Sequence, residues 1–164
     1  MLARQAPFAR YPVMDNLFRD FHAFAMLPQL VPLVIAYVLA FPIGWNREHE
    51  ERSAGVRTFP LVAVATCGFI QATEHLTAQS PEAMARIIEG LITGMGFIGG
   101  GAILRREDSV KGTATAASLW ITGAIGAAVG LGSLDVAVVL TVVTIATLWA
   151  MAPLKRMTAE RLDP

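Results

Sequence analysis

The sequence predicts an all-α fold: a polytopic membrane bundle of five transmembrane helices, preceded by an N-terminal interfacial amphipathic helix. Three observations predict it. The 164 residues are 54% hydrophobic and only 16% charged, whereas ordinary soluble domains carry about 25% charge. Five apolar stretches approach the roughly 20 residues that, at about 1.5 Å rise each, cross a hydrocarbon core of about 30 Å. The third of them, Met84 to Arg106, holds six glycines among mostly apolar residues, with the small-xxx-small spacing that lets membrane helices approach closely.

The chain divides into a tail and amphipathic helix over 1–27, a five-span domain over 28–156 and a short cytoplasmic tail over 157–164. Residues Met1 to Pro12 show no periodicity. From Met14 to Leu27, helical spacing gathers Met14, Leu17, Phe18, Phe21 and Phe24 opposite Asp15, Asn16, Arg19, Asp20 and His22, a pattern suited to lying in a membrane interface or packing on the bundle. No secretory signal peptide is expected, because the first strongly apolar segment is of spanning length and lacks a small-residue cleavage site.

Pro28 to Trp45 is the first span, with Pro32 and Pro42 placed to kink it. A charged loop follows from Asn46 to Thr58, in which Arg47 with Glu51 and Glu48 with Arg52 have the i to i+4 spacing of a helical extension. Thr58 to Leu76 is the second span, and Pro81 suits the start of the third. After it comes a loop from Arg105 to Gly112, then a fourth span from Thr113 to Gly130. Asp135 to Ala152 is the fifth, ended by Pro153 and Lys155.

Basic residues resist translocation and so set orientation. Nine of them flank the loops after spans one and three and the C-terminal end, against Arg4, Arg10 and Arg19 at the other side. The N-terminus is therefore expected outside and the C-terminus in the cytoplasm. Trp45 and Trp149 fall at the cytoplasmic boundary, as an aromatic belt requires.

Thirteen basic and thirteen acidic side chains cancel, so no nucleic-acid partner is expected. Cys67, the only cysteine, lies in an apolar run and is read as a small core residue, since it can form no internal disulfide or thiolate cage. Gly94-Met95-Gly96-Phe97-Ile98-Gly99 has the G-x-G-x-x-G spacing, but a dinucleotide turn needs a strand before it and a helix opening after it. Here it sits inside one apolar helix. No Ser, His and Asp arrangement and no His-rich metal spacing occurs at membrane depth, so an enzyme is not expected, and neither is a cofactor.

At about 100° per residue, Ile87, Ile88, Leu91, Ile92, Met95, Ile98, Ala102 and Ile103 share one half of the glycine helix, expected to face lipid. Arg86, Glu89, Thr93, Gly96 and Gly100 form a second face, and Gly90, Gly94, Phe97 and Gly101 a third; both are expected to face protein, with this helix central. Ionisable groups inside a bilayer normally meet a partner or a cavity. Glu89 thus forms either a structural ion pair with Arg86 or a site for an ion or proton. Gly90 with Gly94, Gly96 with Gly100, and Gly126 with Gly130 are packing pairs, joined by Gly101 on the third face. Two glycine faces on one helix, where one bundle contact would need only one, predict a homodimer. Thr115, Ser118, Thr122 and Gly126 make a matching polar face on span four, within about 80° of arc.

Together these motifs resemble the MgtC/SapB family of bacterial inner-membrane proteins. Gly44-Trp45-Asn46-Arg47-Glu48 is similar to its G-x-x-R-E signature, and Ala54-Gly55-Val56-Arg57-Thr58 to its A-G-L-R-T. Gly94 to Gly101 resembles G-I-G-F-L-G-A-G, and Val110 to Trp120 resembles V-R-G-L-T-T-A-A-S-L-W. Thr113 and Ala114 stand where the family has Leu-Thr, leaving Thr115 as the hydroxyl retained there. The likeness covers the family's N-terminal transmembrane domain, and its C-terminal soluble domain is not expected here.

The resemblance implies a role in adaptation to low magnesium and, in some pathogens, in virulence. It implies either a non-enzymatic regulator of ion, phosphate or ATP physiology acting on other membrane proteins, or a transporter of Mg²⁺ or another cation along the Glu89 groove. In the regulatory case Arg47, Glu48, Arg57, Thr58 and Thr115 are expected to form a polar cluster on the cytoplasmic side. Surrounding lipid is the remaining expected partner.

Overall fold

The computed structural model describes residues 26–50, 54–77, 80–106 and 109–160. Apart from its last two residues, the expected interfacial helix lies outside them, as does the end of the C-terminal tail. Five helices follow in order: α1 (Leu27–Glu50), α2 (Thr58–Thr77), α3 (Pro81–Gly101), α4 (Thr113–Gly130) and α5 (Leu134–Glu160). They coincide with the five expected apolar stretches, and the all-α membrane bundle stands. Three of them, α1, α4 and α5 as far as Met151, are long and apolar enough to cross a membrane.

Helix ends follow local chemistry. Pro32 and Pro42 are accommodated inside α1, which also runs on through the motif residues to Glu50. Ser80 caps α3: its Oγ accepts a hydrogen bond from the Ala83 amide at 3.2 Å, with Pro81 in the first turn. The last helix continues past Pro153 to Glu160 rather than ending near Ala152. Between α3 and α4, where the sequence suggested a plain loop, β1 (Leu104–Arg106) and β2 (Ser109–Lys111) pair antiparallel, with Leu104 opposite Lys111 and Arg105 opposite Val110. Gly112 then turns the chain into α4 at φ +88°, where a Cβ would strike the Ala102 carbonyl.

The centre of the bundle is α4, not the glycine-rich α3. It packs against all four other helices and buries Thr115, Ser118, Leu119, Thr122, Ile125, Ala128 and Val129. Small residues make this possible. A Cβ at Gly126 would run into the Ala63 backbone of α2, and one at Gly130 would lie 2.8 Å from Ile70 Cβ and 3.1 Å from the Cys67 carbonyl. Cys67 is buried with Ala36, Ala40, Ile43, Phe59, Ala63 and Ile125 in the shared core.

Buried hydroxyls are satisfied by their own helices. Ser118 donates to the Ala114 carbonyl at 2.7 Å, Thr122 to Ser118 at 2.8 Å, Thr66 to Val62 at 2.9 Å and Thr141 to Ala137 at 2.9 Å. In a bilayer, where an unsatisfied polar group has no water to turn to, this is the arrangement that permits inward-facing threonines. The expected polar face of span four is thus buried, and it serves packing.

Candidate functional site

The two motifs nearest the first loop build a joint between α1 and α2. Gly44 is buried where a Cβ would meet the Gly55 carbonyl at 3.1 Å and Phe59 Cβ at 3.2 Å, a tight fit in which glycine eases the close approach of the two backbones. One turn further on, the Glu48 carboxylate accepts a hydrogen bond from the Val56 amide at 3.1 Å. The same carboxylate lies over Gly55, occupying the space a side chain there would need. At the opposite end of the pair, Gln71 Nε2 donates to the Gln29 carbonyl at 3.2 Å. Both ends of the α1–α2 hairpin are therefore tied by polar contacts, with apolar packing between.

Arg47 is only 5% exposed, and its Nε and Nη2 donate to the Asn46 Oδ1 at 3.2 and 2.8 Å. A guanidinium this close to the end of a membrane helix would ordinarily extend toward water; the neighbouring amide holds it in. Thr115 is fully buried in α4 and has a bonding partner of its own. Arg57 is exposed, and Thr58 is half-buried at the start of α2. Of the expected cluster, Glu48 therefore braces the joint, Arg47 and Thr115 are interior, and Arg57 points outward.

The glycine helix departs from expectation on part of its surface, although Ile92, Ile98 and Ile103 of the expected lipid half are exposed. Its buried residues are Met95 and Gly99. Ile87, Ile88 and Leu91 are half-buried beside them, while Glu89, Gly90, Thr93, Gly94, Gly96, Phe97, Gly100 and Gly101 face outward. The groove of Arg86, Glu89, Thr93, Gly96 and Gly100 is not in the interior of the single chain. Arg86 and Glu89 are both exposed, and neither makes an ion pair among the described residues. Thr93 Oγ1 donates to the Glu89 backbone carbonyl at 2.9 Å.

The physical reason lies in the partner helix. Where α3 meets α4, α4 supplies the hollows: a Cβ on Gly123 would lie 2.7 Å from Met95 Cε, and Gly99 rests on Ala116. With small residues on α4, the Met95 side chain of α3 becomes the knob, and every α3 glycine except Gly99 is left outside. Among the expected packing glycines, Gly126 and Gly130 make close helix contacts, whereas nothing lies within 4 Å of a Cβ built at Gly90, Gly94 or Gly101. No group of three His, Cys, Asp or Glu side chains converges among the described residues, so Glu89 belongs to no such cluster there.

Two boundary features went unread in the sequence as geometry. Tyr37, Phe41, Trp45 and His49 form a ladder along α1, with successive ring centroids 6.3, 6.0 and 5.1 Å apart. Its lower end, Trp45 and His49, shares a groove with Trp149 of α5. The i to i+4 spacing of the four rings was the available signal.

Comparison with known proteins agrees with this architecture. The model of the MgtC family matches residues 33–157. Protein SrpB of Synechococcus elongatus is 36% identical over 137 residues, covering 76% of this chain and 75% of that protein. Protein MgtC of Salmonella typhimurium is 36% identical over 118 residues, covering 72% of this chain. An uncharacterized Haemophilus influenzae protein is 34% identical over 137 residues. The chain spans about half the length of the Salmonella MgtC it matches, 50%, and 57% of the Haemophilus protein. No solved structure matches. With the family model covering most of the sequence and its signatures forming the α1–α2 joint and the α3–α4 contact, the chain is a membrane protein that belongs to the MgtC family.

Proposed function

We propose that this protein is a non-enzymatic regulator in the bacterial inner membrane, adjusting ion, phosphate or ATP physiology under magnesium limitation through contact with other membrane proteins. All five helices cross the bilayer in this arrangement, with the N-terminus outside. The groove shared by Trp45 and Trp149 supports a common cytoplasmic boundary for α1 and α5.

One observation carries the proposal: the polar, glycine-lined face of α3 lies on the outside of an apolar bundle. A transport path would be expected between helices, lined with several oxygen ligands. Here the core is built from residues such as Ala36, Ala40, Phe59, Ala63 and Ile125. Glu89 lies eight residues beyond Pro81, about 12 Å along the helix, where an ionised side chain facing lipid costs at least a few kcal/mol. A protein surface covering it removes that cost. A second copy of the chain is the partner in hand, since Arg86 and Glu89, one turn apart, complement themselves across a two-fold axis and the Gly96 and Gly100 row beside them allows close approach.

The test combines three measurements. Purified protein in liposomes is expected to show no Mg²⁺ flux. Glu89→Gln and Arg57→Gln, expressed normally in cells, are expected to impair growth at low magnesium. Thr93→Cys, in a Cys67→Ala background, is expected to crosslink as a dimer in native membranes. Mg²⁺ flux abolished by Glu89→Gln would overturn the proposal in favour of a cation transporter.

A further inference from the structure

Helices α2 and α3 are consecutive in the chain yet touch only sparsely, and a cleft of about 490 Å³ separates them. Leu61 and Phe69 form one wall and Gly94 and Ile98 the other, with Met95 at the floor and Arg57 at one end. Because nothing lies within 4 Å of a Cβ built at Gly90 or Gly94, the α3 wall is hollow. From Arg57 to Phe69 the slot runs along twelve residues of chain, about 18 Å at helical rise. One leaflet of hydrocarbon is about 15 Å thick, half of about 30 Å.

The dimensions select the occupant. A peptide helix about 10 Å across and 18 Å long needs about 1,400 Å³, more than the roughly 990 Å³ of atom-free space in the cleft, open solvent included. A single hydrocarbon chain, about 5 Å across at van der Waals spacing, needs about 350 Å³ over the same length. Charge adds the second half. Arg57 is exposed at the end of this slot, and its side chain makes no hydrogen bond or ion pair among the described residues. A guanidinium offers the planar fork that matches a phosphate, and basic pockets between membrane helices are places where anionic headgroups dock.

We propose that the α2–α3 cleft binds an anionic phospholipid, its phosphate on Arg57 and one acyl chain lying between Leu61 and Phe69 on one side and Gly94 and Ile98 on the other. The site rests on α2 and α3 crossing the bilayer, as proposed above, and is independent of what the protein regulates.

The experiment is native mass spectrometry of the full chain, extracted in mild detergent and exposed to equal phosphatidylglycerol and phosphatidylethanolamine. The parent is expected to retain phosphatidylglycerol preferentially. Arg57→Gln is expected to reduce that preference about fivefold, the effect of one basic side chain at a membrane surface. Arg105→Gln, on the exposed hairpin and outside the cleft, is expected to leave it unchanged. Gly94→Leu, which fills the slot, is expected to lose both lipids while keeping its helical circular dichroism. An unchanged preference in Arg57→Gln overturns the proposal, as does an equal loss in Arg105→Gln or lipid retained by folded Gly94→Leu. Impermeant thiol labelling of Ser80→Cys and Lys111→Cys in the Cys67→Ala background is expected to reach them from opposite faces. Labelling of both from one face overturns the membrane premise itself, so that failure is distinguishable from failure of the lipid site.

Discussion

Replacing Gly126 by alanine adds one methyl group to the middle of α4, and the structure fixes what that methyl meets. Its position conflicts with the Ala63 carbonyl oxygen and lies 2.9 Å from both the Ala63 carbonyl carbon and Cα. All three are backbone atoms of a helix, so no side chain can rotate away. Overpacking of this kind costs about 1–3 kcal/mol, and rigid backbone on the receiving side places Gly126→Ala near the upper end. For a chain of this length, about 3 kcal/mol lowers Tm by about 6–12 °C.

Two other glycines calibrate the argument. At Gly123 the obstacle is the flexible Met95 side chain, which can shift, so Gly123→Ala is expected to cost less. At Gly94 nothing lies within 4 Å, and alanine favours the helix by about 1 kcal/mol over glycine. Thermal unfolding in detergent, followed by circular dichroism, should therefore rank Tm as Gly94→Ala at or above the parent, then Gly123→Ala, then Gly126→Ala. If Gly126→Ala melted within about 2 °C of Gly94→Ala, against the 2–4 °C expected per kcal/mol, the close α2–α4 approach would be refuted.

Gly112→Ala forces a side chain into φ +88° and against the Ala102 carbonyl; the backbone conformation alone costs about 1–2 kcal/mol, and Tm should fall by at least about 2 °C. Glu48→Ala removes the acceptor of the Val56 amide, a charge-assisted bond of about 1.5–3 kcal/mol that solvent at this exposed position reduces toward the lower figure. Proteolysis at the α1–α2 joint should accelerate in that variant, whereas an unchanged cleavage rate would exclude Glu48 as a brace. Ser80→Ala deletes the cap of α3 at about 1 kcal/mol, and amide hydrogen exchange should quicken in the first turn from Pro81 without changing that of α4.

Length and apolarity were enough to locate all five helices, because each lies in a long, continuous and mostly apolar run. The signatures around Gly44 and Gly55 also marked a real junction, though their spacing did not disclose that Gly44 meets the Gly55 carbonyl or that Glu48 bonds Val56. Periodicity grouped the faces of α3 but did not disclose which of them its own bundle covers: Met95 of the expected lipid half is buried, while Glu89, Gly96 and Gly100 are exposed in the single chain. Whether a glycine row faces its own bundle depends on which helix of a pair supplies the hollow, and Gly123 on α4 decides that here. The hairpin from Leu104 to Lys111 stayed hidden because three-residue strands are too short to show alternation.

The narrow seam by which α3 joins the bundle sets how tightly each helix is held. Met95 and Gly99 are its only buried positions, against nine in α4, so peeling α3 away sacrifices less enclosed contact than displacing the helix it leans on. Opening free energy is lowest where few buried contacts resist it, and elements that shift during regulation are drawn from that class. Within the single chain α3 is accordingly the loosely held leaf and α4 its post, and deuterium should enter the α3 amides well before those of α4.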